Sequence, residues 1–139
     1  MTILFATTSY SGGYVIKAYA SNDGRLRLGA TSDYIERWPY ANSTPFIWNI
    51  DCPDNSSYCG FGYTTSDTSL DNIGDGPNRF ATSTKYAGFA ISSPGDTVSY
   101  HDAAVFGATT TITYKVSTNS TSTVGEYSTT IFYLCTPNY

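Results

Sequence analysis

Two segments in the last third of the chain alternate between apolar and polar side chains with a period of two residues. Successive side chains of a β-strand point to opposite faces, so this period predicts two strands, each with one apolar face. We expect these strands, residues 109–116 and 127–135, to pair antiparallel across the loop between them. The residues that share the apolar faces are Ile112, Tyr114 and Val116 in the first strand and Ile131, Tyr133 and Cys135 in the second.

The rest of the chain has the same character in shorter pieces. Aromatic residues make up 16% of the sequence, Thr is abundant, and no stretch of ten residues has helical periodicity. Thr, Tyr, Val, Ile and Phe favour the pleated surface of a sheet, and polar turn clusters such as residues 21–24 separate the runs. Residues 64–83 are polar and rich in Gly and Asp, which predicts a long surface loop. Many short strands divided by turns indicate an all-β, immunoglobulin-like β-sandwich that forms one domain over residues 1–139.

The charge of the chain excludes several partners. Only 13% of the residues are charged, the net charge is −4, and the seven Lys and Arg residues are scattered. Nucleic-acid binding needs clustered basic residues, so no nucleic-acid partner is expected. No apolar run approaches the length of a membrane-spanning helix, so no membrane insertion is expected either. The composition is typical of secreted proteins.

The cysteines suggest a crosslink rather than a metal site. Six residues separate Cys52 from Cys59 in a Pro/Asn/Ser-rich loop, where a disulfide would stabilise the fold by roughly 2–3 kcal/mol. A free thiol pair is the alternative. A structural metal site needs about four ligands, so we expect no metal. Cys135 shares the face of Ile131 and Tyr133 and is predicted to be a small buried side chain.

No pattern in the sequence indicates catalysis. The one histidine, His101, lies beside Asp102 without the glycines of a nucleophile elbow, and no pair of acidic residues stands out. We therefore predict no enzyme activity, no catalytic residue and no cofactor. Three sites match the N-glycosylation pattern, namely Asn42, Asn55 and Asn119, and are possible acceptors of glycans.

A run of aromatic residues supports an alternative binding function. Residues 34–40 and 46–48 contain Trp38 and Trp48, and exposed aromatic rings can grip sugar rings. Such a platform would make the domain a carbohydrate-binding or adhesive module on a bacterial surface, with glycans as partners. The other interpretation is that both indoles pack in the core or in a subunit contact.

The first nine residues form a β-prone run with large apolar side chains on both faces. Three interpretations remain open: a strand of the chain's own sandwich, a strand given to another subunit, or a disordered stub. Burying Ile3, Leu4 and Phe5 yields about 5–9 kcal/mol, whereas ordering eight residues costs about 8–16 kcal/mol. The segment is therefore stable only if its backbone also joins a hydrogen-bonded ladder.

Three motifs stand in a fixed order along the chain. They are Ser-Gly-Gly-Tyr at 11–14; Gly-Phe-Gly-Tyr at 60–63 with Tyr-Ala-Gly-Phe at 86–89; and the two alternating segments, followed by Thr-Pro-Asn at 136–138. This pattern resembles a family of small bacterial surface proteins that end in a Gly-x-Tyr-x-x-Thr-φ-x-Tyr strand and Thr-Pro-Asn. It is also similar in outline to pilin subunits that polymerise by donor-strand exchange.

The resemblance implies a structural subunit of an extracellular, pilus-like fibre on a bacterial surface, with other copies of the chain as partners. Residues 1–9 are then the candidate donor segment, and residues 10–139 form the sandwich that accepts a strand. The expected donor residues are Thr2, Ile3, Leu4, Phe5, Ala6 and Thr7. The expected acceptor groove is lined by Ile112, Tyr114, Val116, Ile131 and Tyr133.

Overall fold

A computed structural model describes residues 1–48, 60–67, 70, 79–80, 84–118 and 122–138. The all-β prediction is confirmed, since these residues contain eleven strands and one short 3₁₀ turn at Asn22–Gly24. The strands are β1 (Thr2–Thr8), β2 (Tyr14–Ala20), β3 (Leu26–Leu28), β4 (Tyr34–Arg37), β5 (Phe46–Ile47), β6 (Gly60–Thr65), β7 (Lys85–Tyr86), β8 (Asp96–His101), β9 (Val105–Val116), β10 (Tyr127–Ser128) and β11 (Ile131–Pro137).

The strands form two main sheets and a small one. The larger sheet has the order β1-β9-β6-β4-β3-β10, and the second has the order β11-β2-β8. β5 and β7 pair as a separate two-stranded sheet. The β4–β6 pair is parallel and the other strand pairs are antiparallel.

The core lies between the two main sheets in a sandwich-like arrangement. The four inward side chains of β2 alternate with exposed or half-buried ones, as a strand with one buried face requires. They meet inward side chains from β4, β6 and β9 of the larger sheet. The core residues are Tyr14, Ile16, Ala18, Ala20, Ile35, Phe61, Tyr63, Leu70, Phe80, Ala87, Phe89, Val98 and Ile112.

The expected pairing of the two alternating segments is wrong. Residues 109–116 belong to β9, which pairs with β1 and β6, whereas residues 131–137 form β11 in the other sheet. The chain changes sheet between Tyr127, which pairs with Leu28 of β3, and Ile131, which pairs with Ala20 of β2. Alternation specifies which side chains face inward, and both segments do face the core, but from opposite sheets.

The predicted surface loop at residues 64–83 is only partly correct. Thr64 and Thr65 are buried in β6, and Leu70 and Phe80 belong to the core. β6 reads Gly-Phe-Gly-Tyr-Thr-Thr and is buried on both faces, so it shows no alternation that could identify it as a strand. A short polar sequence can therefore lie in the interior when its strand is central in the sheet.

Candidate functional site

β1 lies at the edge of the larger sheet and pairs with β9 of its own chain. The ladder runs from Thr2 opposite Ile112 to Thr8 opposite Val105, with a bulge between Ala6 and Thr8. Leu4 and Ala6 point inward and pack against the core, although both remain half-buried. The predicted donor residues therefore form one strand, and in the single chain this strand is paired with β9.

The outer face of β1 is apolar and uncovered. Ile3 and Phe5 point away from the core, and the side chain of Phe5 is 76% exposed. Phe106, at the bulge in β9, is 92% exposed. We call these three side chains the outer patch. A monomer gains little stability from apolar side chains that stay in water, so the patch is the part of β1 that its own fold does not use.

A groove separates β1 from β11, the edge strand of the second sheet. Its volume is about 480 Å³, and β2 lies at its base. No further strand pairs with the groove-facing edge of β1 or of β11 among the described residues. The lining residues are Ile3, Leu4, Phe5, Ala6, Thr7, Thr8, Tyr14, Ile16, Tyr133, Cys135 and Pro137. Two strand edges with unused backbone groups thus face each other across a mainly apolar channel.

Cys135 shows how open this groove is. It lies opposite Ile16 of β2 and on the same face as Ile131 and Tyr133, as its spacing predicts. The prediction that it is buried is wrong, because Cys135 is exposed and carries a free thiol. The larger sheet ends at β1, so no strand of the described part of the chain covers this end of β11.

A chain of three hydroxyl groups connects the two sheets at one end of the groove. The hydroxyl of Thr2 lies 2.6 Å from that of Tyr114, which in turn lies 2.7 Å from that of Tyr133. Burial, together with the hydrogen bond to Tyr114, raises the pKa of Tyr133 above its ordinary value. Tyr133 therefore stays protonated at neutral pH, and the hydroxyl chain links β1, β9 and β11.

The structure brings four of the five predicted acceptor residues to this region. Ile112 and Tyr114 lie on the inward face of β9, and Tyr133 of β11 lines the groove. Ile131 packs against the core on the same face of β11. Val116 does not belong with them, because it is 50% exposed and does not pack against the core.

The connection between β1 and β2 contains two glycines with packing roles. The N–H of Gly13 donates a 3.0 Å hydrogen bond to the carbonyl of Tyr10, and Gly13 has a φ of +79°. A Cβ atom at Gly12 would lie 2.0 Å from the carbonyl oxygen of Asn138. The glycines therefore close a tight turn against the C-terminal strand.

The aromatic run forms a stacked cluster rather than an open platform. Trp38 is buried, and its ring stacks on Trp48 with centroids 4.0 Å apart. Trp48 also meets the edge of Tyr86, and the ammonium of Lys115 lies 5.3 Å from its ring centre. Trp38 is thus packed as the core interpretation requires, whereas Trp48 is half-buried and Phe46, which stacks on Tyr40, is 42% exposed.

Glycines in β6 make room for this stack. A Cβ atom at Gly60 would lie 2.7 Å from the Trp38 ring and 3.2 Å from the Trp48 ring. The Gly-x-Gly spacing of the motif at 60–63 is thereby explained by packing, which sequence inspection alone did not reveal.

Some of the remaining predicted sites lie within the described residues and others lie outside them. Asn42 is buried, and its amide donates hydrogen bonds to the Tyr63 hydroxyl and the Thr97 carbonyl, so the folded chain cannot present it for glycosylation. Cys52, Cys59, Asn55 and Asn119 lie outside the described residues. His101 ends β8 and stacks on Tyr14, with ring centres 6.2 Å apart.

No known protein family, curated protein or solved structure matches the chain. In the part of the chain that the structure describes, no helix has the length and apolar character needed to span a bilayer. The same residues contain no group of three or more His, Cys, Asp and Glu side chains placed to hold a metal. The candidate site is therefore argued from its own geometry.

Proposed function

We propose that this chain is the structural subunit of an extracellular, pilus-like homopolymer, in which β1 of one copy occupies the seat beside β9 of the next. The observation that carries the proposal is the attachment of β1. β1 lies at a sheet edge, and among the described residues its one ladder is with a strand about a hundred residues later in the sequence. Such a strand can be exchanged between copies without any change in the contacts it makes.

The connection to β2 limits how far β1 can reach in this exchange. Residues 9–13 link β1 to β2, and five extended residues span at most about 17 Å. Opening the connection breaks the turn hydrogen bond between Gly13 and Tyr10. This cost is small, because one such bond contributes about 1 kcal/mol net.

The outer patch supplies a reason for copies to associate. Exchange by itself leaves Ile3 and Phe5 of the donor and Phe106 of the acceptor facing outward, as in the monomer. In the proposed polymer, the body of the donor copy, which residues 9–13 tether to this strand, packs on the outer patch and covers it. Exposed apolar side chains that cluster at a strand edge favour association. A head-to-tail contact of this kind generates an open polymer when its rotation does not close a ring, and the proposal is for the open form.

The immunoglobulin-like type of the sandwich and the bacterial surface location belong to the same proposal. They are supported by the two-sheet core and by the low-charge, Thr-rich composition. The carbohydrate-binding alternative loses part of its support, because Trp38 is buried and its ring stacks on that of Trp48.

A disulfide that locks β1 onto its own β9 tests the proposal. Phe5 and Thr109 are directly opposite and point outward, so Phe5→Cys/Thr109→Cys adds a crosslink without disturbing the core. Cys135→Ser removes the exposed native thiol. The protein is oxidised as a dilute monomer, concentrated, and examined by negative-stain electron microscopy before and after reduction.

We expect the oxidised variant to stay monomeric and the reduced variant to form fibres. The matched control is the Phe5→Cys single variant, which loses the same side chain of the outer patch but cannot form this crosslink, so its assembly should not differ between oxidising and reducing conditions. Fibres from the fully oxidised double variant would show that β1 need not leave its own chain, and the proposal would be wrong. Failure of the unmodified chain to form any fibre would also contradict it.

A further inference from the structure

The alternation of side chains along β1 is compatible with one pairing register on β9 that differs from the observed one. A slip of one residue would turn Leu4 and Ala6 away from the core, so burial excludes it. A slip of two residues keeps the same face inward. If each position were filled by the residue two places later, Leu4 would lie opposite Ile112 and Ala6 opposite Thr110. Both would still face the core, so apolar burial discriminates weakly against this slip.

The bulge end of β1 does not prevent the slip either. The N–H of Gly107 donates a 3.0 Å hydrogen bond to the hydroxyl of Thr7. After the two-residue slip, Ser9 would take the place of Thr7 and could accept the same bond. The slip in the opposite direction would put Phe5 there and leave Gly107 without its acceptor. One slipped register therefore remains to be excluded at the other end of the strand.

At that end of β1, Thr2 distinguishes the native register from the slipped one. Its hydroxyl is hydrogen-bonded to Tyr114, which is bonded to Tyr133. In the slipped register an apolar side chain, Leu4, would replace it, and the Tyr114 hydroxyl would lose a partner in a half-buried position. A polar group that loses its partner on burial is costly, whereas the native register satisfies all three hydroxyls.

We propose that Thr2 sets the register of β1 on β9 through the Thr2–Tyr114–Tyr133 hydroxyl chain. The role depends on the β1–β9 ladder alone and holds whether β1 comes from the same chain or from a neighbour. In a polymer, the same contact would fix how far each donor strand enters its acceptor. A failed register test and a failed exchange test are therefore distinguishable.

Two cysteine pairs report the two registers. Phe5→Cys/Thr109→Cys joins residues that are opposite in the native register, and Phe5→Cys/Thr111→Cys joins those opposite after the slip. All three positions are on the outward side, away from the hydroxyl chain. Both pairs are placed in the Cys135→Ser chain and equilibrated in a glutathione redox buffer, and the crosslinked fraction is measured by mass spectrometry after proteolysis.

We expect Thr2→Val, which keeps the shape of the side chain and removes its hydroxyl, to raise the slipped-to-native crosslink ratio about fivefold, equivalent to about 1 kcal/mol. Tyr114→Phe should give a similar rise, and the double variant should add little to either. Tyr127→Phe is the matched control, because the Tyr127 hydroxyl donates its hydrogen bond to the Thr123 carbonyl, away from β1 and β9, and its removal should leave the ratio unchanged.

Two results would overturn the proposal. One is an unchanged ratio in both Thr2→Val and Tyr114→Phe. The other is the absence of the native crosslink in the parent chain, which would mean that the register of β1 is not fixed. Near-UV circular dichroism of each variant establishes that the sandwich is folded, and a variant with a native spectrum and an unchanged ratio counts against the role of Thr2.

Discussion

The side-chain amide of Asn42 donates a 2.7 Å hydrogen bond to the hydroxyl of Tyr63, and both residues are buried. The same amide donates a second bond of 3.0 Å to the carbonyl of Thr97 in β8. Asn42 therefore joins β6 of the larger sheet to β8 of the second sheet. Its polar side chain lies in the interior because each of its N–H groups has an acceptor there.

Replacement of Asn42 should be costly for this reason. We expect Asn42→Ala to lower the free energy of unfolding by about 2–3 kcal/mol, because it leaves the Tyr63 hydroxyl and the Thr97 carbonyl short of a partner in the interior. Urea denaturation monitored by tryptophan fluorescence measures the change. The neighbouring exposed residue offers a control, Ser43→Ala, with an expected change below about 0.5 kcal/mol. Equal stabilities of the two variants would contradict the role of Asn42.

Burial of Tyr63 makes the stability depend on alkaline pH. Burial raises the pKa of Tyr63 well above its ordinary value, and the nearby charge of Asp96 adds to the effect. Tyrosine in the unfolded chain ionises near pH 10, so above that pH the unfolded state loses a proton that the folded state keeps. The stabilisation is fully present below about pH 10 and falls above it by about 1.4 kcal/mol per pH unit from this one residue.

The Tyr63→Phe variant isolates this contribution. Urea unfolding at several pH values between about 9 and 11 should show a smaller loss of stability per pH unit in the variant than in the parent chain. Lysines and the other tyrosines contribute to both proteins and cancel in the difference. Parallel curves for the two proteins would show that Tyr63 ionises in the folded state as it does in the unfolded one.

The outer patch should matter for assembly and hardly at all for folding. Phe106 is 92% exposed, so Phe106→Ser should change the free energy of unfolding of the monomer by less than about 0.5 kcal/mol. We expect the same variant to raise the critical concentration for fibre formation, measured by sedimentation, because Phe106 lies at the proposed junction. Val124, which is 98% exposed in the loop before β10, gives the control variant Val124→Ser. Equal critical concentrations for both variants would show that the outer patch is not part of the junction.

The strands with alternating side chains could be found from the sequence, whereas their partners could not. The spacing of Ile131, Tyr133 and Cys135 identifies one face of β11 correctly, but nothing local shows that β11 pairs with β2 instead of β9. That choice depends on the change of sheet after Tyr127, which is a property of the whole sandwich. β6 was missed for another reason, because a strand buried on both faces has no polar side to mark its period.

The candidate site could be predicted from the sequence only in part, for similar reasons. The β-prone residues of this segment predicted a strand correctly. The sequence did not show that its two faces differ, with Leu4 packed against the core and Phe5 exposed to water. Thr2 is among the predicted donor residues, but the sequence does not reveal its hydrogen bond, because Tyr114 and Tyr133 lie more than a hundred residues away. Cys135 was predicted to be buried because its spacing places it on the inward face of β11. It is exposed because the larger sheet, which faces it, ends at β1.

A mixing experiment tests the exchange of β1 most directly. One preparation carries Phe5→Cys and the other Thr109→Cys, both with Cys135→Ser, so a 5–109 disulfide can form only between two different molecules. The preparations are mixed, allowed to assemble and oxidised, and the disulfide is sought by mass spectrometry after proteolysis. Exchange of β1 between copies predicts a 5–109 disulfide that links one molecule of each kind, in an amount that grows with the fibre mass. Fibres that contain no such disulfide would show that each β1 remains on its own β9 and would contradict the account.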